Sequence, residues 1–415
     1  MKTVHTDIAI IGAGPSGSVA AGLLRKKGYK VLVLERQVFP RFSIGESLLP
    51  HCMELIEKAG MAETIKAAGF QHKNGAAFTW GNRYTYFDFT DKFTPGPGTT
   101  YQVQRGIFDK VLIDEAEKQG ADVWYEHTVL AAETNSERAK LLVRNDKTGE
   151  EFNVAAKFLL DASGYGRVLA RLFDLETPSC LPVRHAHFTH IEDNITDGDF
   201  DRNKILICTH PTQRDVWLWF IPFSNGRCSI GVVSEPHNFA HIKEQTSEGI
   251  LRQYASEIPM LSRLIRNAKW DTPFNTLQGY SANVKSLYGE RWALLGNASE
   301  FLDPVFSSGV TVAMHSSDLA VETLDKQLRG EPTDWQKDFV EPLMVGINTF
   351  RTYVFGWYDN SFQDVIYERN PNPKIRAMIS SILAGYAWDS NNPYVEKSER
   401  RLKALADICG TATQD

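Results

Sequence analysis

The sequence predicts an α/β protein whose nucleotide-binding part contains a parallel sheet and whose middle part is rich in strands. Residues 7–11 (DIAII) are a short apolar run without alternation, as expected for a central parallel strand. The glycine-rich turn 12–17 (GAGPSG) follows at once and opens a helix of small residues that ends near Gly28. A second apolar run at 29–34 ends in Glu35, so the chain begins with an uninterrupted βαβ unit.

The rest of the chain has strands in its middle and helices at its end. Residues 105–121 carry apolar side chains at helical spacing, and the turn SNG at 224–226 joins two strands as a hairpin. A long helix begins near Gly309, and the chain is helical from about residue 334. Further strands are predicted within 78–104 (with a loop at 94–100), at 123–131, 140–144 and 152–160, across most of 183–235, and at 291–297.

Composition excludes several function classes. The 415 residues carry a net charge of −6 without a basic block, so neither nucleic acid nor an anionic lipid surface is expected as a partner. No stretch approaches the ~18 consecutive apolar residues of a membrane span. The five cysteines form no CxxC pair, and the first apolar run belongs to the fold rather than to a signal peptide. A cytoplasmic protein with reduced thiols is therefore expected.

The turn 12–17 has the spacing of a dinucleotide-binding fingerprint. Gly12 makes the tight turn, Gly14 lets the backbone approach a pyrophosphate, and Gly17 lets the helix pack on the sheet. Glu35 stands where a carboxylate accepts a hydrogen bond from a ribose hydroxyl. The motif predicts an adenine dinucleotide without choosing between FAD and NAD. The sequence has one such fingerprint rather than two, which favours FAD and an outside source of electrons.

Residues 296–317 (GNASEFLDPVFSSGVTVAMHSS) predict a tight turn that leads into a second helix. Asp303 with Pro304 suits a helix entry, and Ser307 or Ser308 can cap the helix. Free backbone N–H groups at 308–310 make an anion site for a reduced flavin, a halide or both. An ordinary capped helix is the alternative interpretation.

Five stretches together resemble the FAD-dependent aromatic monooxygenase fold: GAGPSG, FPRFSIGESLLP at 39–50, QRGIFDK at 104–110, DASG at 161–164 and LLGNASEFLDPVFSSG at 294–309. Within that fold, WLWFIP at 217–222 is similar to the WxWxIP signature of the flavin-dependent halogenases. The resemblance implies a Rossmann-like FAD-binding domain, a mixed β-sheet substrate domain and a helical C-terminal region. We expect the first at 1–80, 101–180 and 281–333, the second at 81–100 and 181–280, and the third at 334–415.

The resemblance implies halogenation of an electron-rich aromatic of phenol or pyrrole type, either free or held on a carrier protein. In this chemistry a separate flavin reductase supplies FADH2, oxygen gives a flavin C4a-hydroperoxide, and chloride or bromide becomes hypohalous acid. The acid reaches a substrate pocket where one lysine is essential, and QHKNGAAFTWG at 71–81 puts that lysine at Lys73. Phe306 stands where tryptophan-type halogenases carry a glutamate, which favours the phenol or pyrrole branch.

The same resemblance implies roles for single residues. Lys73 is the expected catalytic residue, the backbone of Ser308 and Gly309 is the expected halide site, and no metal site is expected. Asp303 is expected to be a structural or flavin-side residue rather than the base for the substrate. The flavin-shielding residues are Trp217, Trp219, Ile221 and Pro222. The FAD contacts are expected at Gly12, Ala13, Gly14, Pro15, Ser16, Gly17, Glu35, Arg36, Arg41, Glu46, Ser47, Arg105, Asp161, Gly296, Asn297, Asp303, Gly309 and Val310.

The tryptophan strand distinguishes two reactions that share this fold. Trp217, Trp219 and Ile221 project to one face of a strand and the residues between them to the other, so we expect burial on both faces. A hydroxylase needs its substrate carbon against the flavin. A wall of indole rings forbids that contact and leaves room for a halide. Two tryptophans in one strand are more often simple core residues, so this interpretation depends on the other motifs.

Several alternatives stay open from the sequence. The fold also suits an NAD(P)H-dependent aromatic hydroxylase, a flavin-dependent reductase of isoprenoid or lipid double bonds, and a flavin-holding protein without turnover. His185 and His187 share a strand face that His190 could join, but no carboxylate or cysteine completes a metal set. The aromatic stretch from Phe350 to Trp388 is either core packing or a lid over an aromatic substrate.

Overall fold

The apolar run at the start of the chain forms the centre of a six-stranded sheet, the nucleotide sheet. We describe it from a computed structural model, which covers residues 2–196, 198 and 200–412. Ile8–Ile11 pairs in parallel with Phe158–Asp161 on one side and with Val31–Glu35 on the other, which confirms the predicted central strand. The strand order is Tyr288–Gly289, Trp292–Leu294, Phe158–Asp161, Ile8–Ile11, Val31–Glu35 and Asp122–Tyr125. All neighbours in it are parallel except the first two.

The helix Pro15–Lys26 packs between Arg105–Lys118 and Gly309–Leu328. Its small residues allow this close packing. A Cβ on Gly17 would collide with the carbonyl oxygen of Gly12, so glycine is required there. Gly28, in the left-handed region at φ +88°, follows the helix and ends it close to the predicted position.

Two strands predicted as continuous are each divided between two sheets. The predicted strand 123–131 is broken at Glu126, whose φ is +59°, into Asp122–Tyr125 and His127–Thr134. The predicted strand 152–160 is broken after Ala156, because the N–H of Lys157 donates to Asp7 O instead of continuing its ladder. The parts His127–Thr134 and Glu151–Ala156 belong to a second sheet. Its strand order is Thr3–His5, Glu151–Ala156, Ala139–Asn145 and His127–Thr134.

A seven-stranded sheet, the large sheet, contains the tryptophan strand. Its order is Asn275–Gln278, His185–Glu192, Arg227–Ser234, Trp217–Pro222, Lys204–Thr209, Gly75–Trp80 and Arg83–Asp88. The predicted hairpin is present, since Trp217–Pro222 and Arg227–Ser234 pair antiparallel around the turn at 224–226. Gly75–Trp80 pairs along its whole length with Lys204–Thr209, so this sheet begins before the expected boundary at residue 80.

The remaining elements connect these sheets and cover both faces of the large sheet. Short strand pairs are Gln71–Lys73 with Thr100–Gln102 and Glu176–Thr177 with Asn283–Val284. Shorter helices are His51–Lys58, Ala62–Ala67, Gly164–Gly166, Val168–Leu172, Pro236–Phe239, Ser247–Glu257, Pro259–Leu264, Gly296–Ala298 and Pro304–Phe306. The C-terminal helices are Gln336–Val340 (a π-helix), Glu341–Tyr358, Ser361–Ile366, Pro373–Leu383, Pro393–Glu396 and Ser398–Ala412.

The end of the chain is helical as predicted, and residues 413–415 of the expected C-terminal region lie outside the described residues. Trp388 from this region stacks on His315, which lies on Gly309–Leu328. The C-terminal helices therefore pack on the nucleotide-binding part. None of the helices in the described part of the chain has the length and hydropathy that a crossing of the lipid bilayer requires.

The strand Trp217–Pro222 separates two apolar cores. Trp217, Trp219 and Ile221 belong to the core shared with the nucleotide sheet and the C-terminal helices. Leu218 and Phe220 belong to the core under Ser247–Glu257 on the opposite face. The expected burial on both faces is confirmed, because all six residues of the strand are buried.

Gly231 makes room for one of the two indoles. It pairs directly with Trp219 across the two strands, and a Cβ on Gly231 would collide with the indole ring. We expect Gly231→Val to lower the free energy of unfolding by ~1–3 kcal/mol, as overpacked cores do, and to push Trp219 towards the nucleotide side. The variant is checked by chemical denaturation and by its dissociation constant for FAD, the expected cofactor.

The matched control is Val232→Ala, the next residue along, which faces the opposite core. It should lose a similar amount of stability by leaving a cavity, yet bind FAD as the wild type does. Equal FAD binding by both variants would show that Gly231 does not hold Trp219 in place.

Candidate functional site

A cavity of about 280 Å³ lies between the fingerprint turn and the large sheet. Most of the predicted site residues line it: Gly12, Gly14, Pro15, Ser16, Glu35, Arg36, Arg41, Glu46, Ser47, Arg105, Trp217, Trp219, Ile221, Asn297, Gly309 and Val310. Segments far apart in sequence thus meet at one place, at the carboxyl ends of the parallel strands, where open α/β sheets bind their ligands.

The fingerprint turn has the geometry that a pyrophosphate needs. Gly12 has φ +98°, and a Cβ there would lie 2.6 Å from Ala162 O. Gly14 is the N-cap of the helix Pro15–Lys26, and no side chain bonds to the first N–H groups of that helix. These groups and the helix dipole therefore suit a phosphate anion. Ala13 and Gly17 lie behind the turn and do not line the cavity.

Glu35 is held at the edge of the cavity by two backbone groups. Ala13 N–H and Gln37 N–H each donate to a different carboxylate oxygen, both at 2.9 Å. Each oxygen keeps a lone pair for a further donor. The carboxylate is therefore fixed in place and still able to accept from a ribose hydroxyl.

Arg41 and Arg105 are both held by Asp109, which is fully buried. Asp109 accepts two hydrogen bonds from Arg105, at 2.7 and 3.0 Å, and pairs with Arg41 Nη1 at 3.3 Å. Arg105 also donates to Ile44 O at 2.7 Å and so positions the loop that carries Glu46 and Ser47. Both guanidinium groups line the cavity, and that of Arg41 lies beside Gly14, where it suits a phosphate. Sequence reasoning missed Asp109, although its spacing of four residues after Arg105 on one helix was the available signal.

Four of the expected contact residues stand behind the cavity wall instead of in it: Asp161, Gly296, Asp303 and Ser308. Asp161 accepts from Ser163 N–H at 2.9 Å and from Leu169 N–H at 2.6 Å, so it shapes the turn whose next residues line the cavity. Burial raises the pKa of Asp161, an effect that these hydrogen bonds only partly offset. Ser308 is the N-cap of Gly309–Leu328, but its side chain makes no capping bond.

Asp303 accepts hydrogen bonds from one backbone group and two phenols. Val305 N–H donates to it at 3.0 Å, Tyr358 Oη at 2.9 Å and Tyr280 Oη at 3.3 Å. Burial raises its pKa to about 6, against the lowering effects of Arg184 and of these hydrogen bonds. Tyr280 and Tyr358 were not singled out from the sequence, because nothing local marks a residue that reaches a distant loop.

The two indoles form one wall of the cavity, and Pro222 does not line it. Their ring centroids are 6.0 Å apart. Trp219 Nε1 donates to Ser229 Oγ at 3.0 Å within the large sheet, whereas Trp217 Nε1 donates to Tyr358 Oη at 3.0 Å on a C-terminal helix. Both indoles therefore have a fixed orientation, and they fill the side of the cavity that faces the large sheet.

Lys73 lies next to the cavity but does not line it. Its side chain is 0% exposed, and Nζ donates to Ser47 Oγ at 2.8 Å and to Leu48 O at 2.7 Å. Ser47 itself lines the cavity, so one hydroxyl connects the cavity to the amine. Burial lowers the pKa of Lys73 to about 7. His72 points away on the alternate face of its strand and is exposed.

The histidines of the large sheet form no metal site. His185 and His187 share a face, but His190 projects to the other one and bonds Glu46 Oε1 at 2.8 Å. His190 therefore does not join the first two. Across the described ranges no group of three histidine, cysteine, aspartate or glutamate side chains is arranged to hold a metal ion.

Comparisons with known proteins agree with this geometry. A family profile described as "FAD binding domain" matches residues 5–338. The 1H-pyrrole-2-carbonyl-[peptidyl-carrier protein] brominase of Pseudoalteromonas luteoviolacea is 30% identical over 339 residues, which cover 80% of this chain and 80% of that protein. A tryptophan 2-halogenase of Chondromyces crocatus is 30% identical over 339 residues, which cover 79% of this chain and 62% of that protein. A crystal structure described as a flavoprotein/dehydrogenase from Cytophaga hutchinsonii superposes with a TM-score of 0.95 at 43% identity, covering 99% and 100% of the two chains.

Glu35 offers a direct test of the cavity as the FAD site. In Glu35→Gln the side-chain amide would have to turn its NH2 group towards one of two backbone N–H donors. We expect the dissociation constant for FAD to rise about tenfold, the equivalent of one lost hydrogen bond. Titration of the quenching of flavin fluorescence measures it.

Glu57→Gln is the matched control, since Glu57 is exposed on the helix His51–Lys58 and does not line the cavity. It should bind FAD as the wild type does. Unchanged binding by Glu35→Gln as well would place the ribose of the cofactor elsewhere.

Proposed function

The chain belongs to the FAD-binding family that contains the flavin-dependent halogenases, and from this membership we propose that it halogenates an electron-rich aromatic with FADH2, oxygen and chloride or bromide. The observation that carries the proposal is Lys73, a fully buried amine that one serine hydroxyl connects to the cavity. A hydroxylase or a double-bond reductase of this fold has no use for such an amine.

The cavity residues support a division of the reaction between two places. When bound, FADH2 would supply the two electrons and two protons with which oxygen, a halide ion and one further proton give hypohalous acid and water. Trp217, Trp219 and Ile221 fill the wall on the large-sheet side, so an aromatic ring cannot approach there while a halide ion can. The N-terminus of Gly309–Leu328 supplies backbone N–H groups and the positive end of a dipole for that anion.

Lys73 is proposed to receive the oxidised halogen. With a pKa of about 7 its amine is largely neutral in mildly alkaline solution and has a free lone pair. The nitrogen attacks the halogen of hypohalous acid, an N–X bond forms, the O–X bond breaks, and the hydroxide leaves as water with the proton from nitrogen. The ring carbon then takes the halogen, and the ring proton returns to the amine nitrogen.

The surroundings of Phe306 support a substrate that needs little help in losing its proton. Phe306 packs edge-on against Trp357 and Phe362, so an apolar cluster stands where an acid would act as a base. A phenol or pyrrole supplies enough electron density for this step. One relative named above acts, by its name, on a pyrrole held by a carrier protein. We extend the proposal to such a ring, free or carrier-bound.

The proposal includes a partner and a location. The single dinucleotide fingerprint is assigned to FAD, so the electrons come from a separate flavin reductase. All five cysteines are free thiols, which supports a reducing, cytoplasmic environment.

The proposed role of Lys73 predicts a pH dependence. Below pH 7 the amine is an ammonium ion without a lone pair, and above pH 7 it is neutral, because its pKa is about 7. We expect the rate of halogen transfer to rise about tenfold between pH 6 and pH 8, following the neutral fraction. Halogenated product is measured by mass spectrometry, with FADH2 oxidation followed in parallel as the pH control. A rate that falls over this range would mean that the ammonium ion acts as a hydrogen-bond donor instead.

Substitution of the lysine separates halogenation from flavin oxidation. We expect Lys73→Ala to lose about 10²-fold or more of halogenated product on a panel of phenols and pyrroles, while FADH2 is still oxidised. The control is Lys204→Met. Lys204, at the start of a strand of the large sheet, is also buried, but it pairs with Asp201 at 2.6 Å and does not line the cavity. Hydroxylated product, formed with NADH and without a reductase, would contradict the proposal.

A further inference from the structure

Tyr358 connects the tryptophan wall to the loop before the helix Gly309–Leu328. Trp217 Nε1–H donates to Tyr358 Oη at 3.0 Å, and Tyr358 Oη–H donates to Asp303 Oδ2 at 2.9 Å. The three residues come from the large sheet, from the end of the C-terminal helix Glu341–Tyr358, and from the loop that precedes the proposed halide site. One hydroxyl thus joins three separate parts of the fold.

The direction of this chain of hydrogen bonds is fixed by chemistry. An indole N–H can only donate and an ionised carboxylate can only accept. The Tyr358 hydroxyl must therefore accept from Trp217 and give its own proton to Asp303. Asp303 is in turn oriented by Val305 N–H, which donates to its other oxygen at 3.0 Å. No alternative arrangement satisfies all three groups.

The ring of Tyr358 is also held. The guanidinium of Arg184, which is 4% exposed, lies 3.3 Å from the ring centroid, as in a close cation–π contact. Its positive charge favours the ionised form of Asp303. The hydroxyl is therefore presented to Trp217 in one position.

The two indoles differ in what holds them. Trp219 bonds to Ser229 inside the large sheet, so its orientation is secured by the sheet itself. The N–H of Trp217 is bonded to Tyr358, a residue 141 positions later on a helix of the C-terminal region. The orientation of the Trp217 indole in the wall therefore depends on how that region packs against the large sheet.

We propose that Tyr358 is a positioning residue which locks the Trp217 indole into the wall and thereby keeps flavin oxidation coupled to halogenation. The inference rests on the proposed function. Without the hydroxyl, Trp217 can rotate about its side-chain torsions, because its donor has lost its acceptor. Water then enters the cavity beside the flavin, and oxygen takes two electrons and two protons from FADH2 to leave as hydrogen peroxide rather than oxidising a halide.

The test compares Tyr358→Phe with Tyr280→Phe. Each substitution removes one hydroxyl that donates to Asp303, but of the two hydroxyls only that of Tyr358 also accepts from Trp217. We expect halogenated product per FADH2 oxidised to fall by about threefold or more in Tyr358→Phe, in the range that one lost hydrogen bond produces. Hydrogen peroxide should rise by the missing amount, and the rate of FADH2 oxidation should stay unchanged. Tyr280→Phe should retain the wild-type ratio.

A second measurement does not need turnover. The fluorescence of bound oxidised FAD, which nearby indoles quench, should increase in Tyr358→Phe and not in Tyr280→Phe. In a Trp217→Phe background, Tyr358→Phe should cause no further change, because the indole on which it acts is gone. This cycle separates positioning from a general loss of packing.

The outcomes are distinct. Equal ratios and equal FAD fluorescence in the two phenylalanine variants would overturn the lock. A wild-type protein that forms no halogenated product would overturn the proposed function, whereas the fluorescence comparison would still decide between a locked and an unlocked Trp217.

Discussion

The strand Trp217–Pro222 is buried on both faces in the middle of the large sheet, and the geometry of the site follows from this. Alternate side chains enter two separate cores, so the strand cannot rotate or slip by one residue without moving its whole apolar set to the wrong core. Its pairing with strands on both sides fixes its register within the sheet. The indoles are therefore presented to the cavity by a rigid element rather than by a loop.

Buried charges show a second constraint, because each needs a partner. Asp109 has two guanidinium groups, Glu35 has two backbone N–H groups, and Asp303 has two phenols and a backbone N–H. Lys73 is the contrasting case: its amine contacts a hydroxyl and a carbonyl but no carboxylate. Burial against neutral acceptors is what lowers its pKa, and this makes the amine a suitable halogen carrier in the proposed reaction.

The C-terminal helices contribute to the site as well as to the core. The aromatic stretch there was open to two interpretations, packing or a lid. Most of its rings are packed, including Phe350, Tyr353 and Trp357, whereas Tyr358 reaches the tryptophan wall with its hydroxyl. The same segment therefore completes the apolar core and also contacts Trp217, a residue of the cavity wall. A change in the position of this segment would therefore act directly on the orientation of the Trp217 indole.

Local pattern was sufficient for the central strand, the fingerprint turn, the tryptophan hairpin and the long helix from Gly309, because each depends on the arrangement of apolar, glycine and turn residues within a few positions. Pattern did not locate the breaks at Glu126 and Lys157, since a single backbone turn inside a strand-forming run leaves its composition unchanged. It also did not find Asp109 or Tyr358 as parts of the site. Their importance comes from contacts between distant segments, and such contacts exist only once the sheets and helices have packed together.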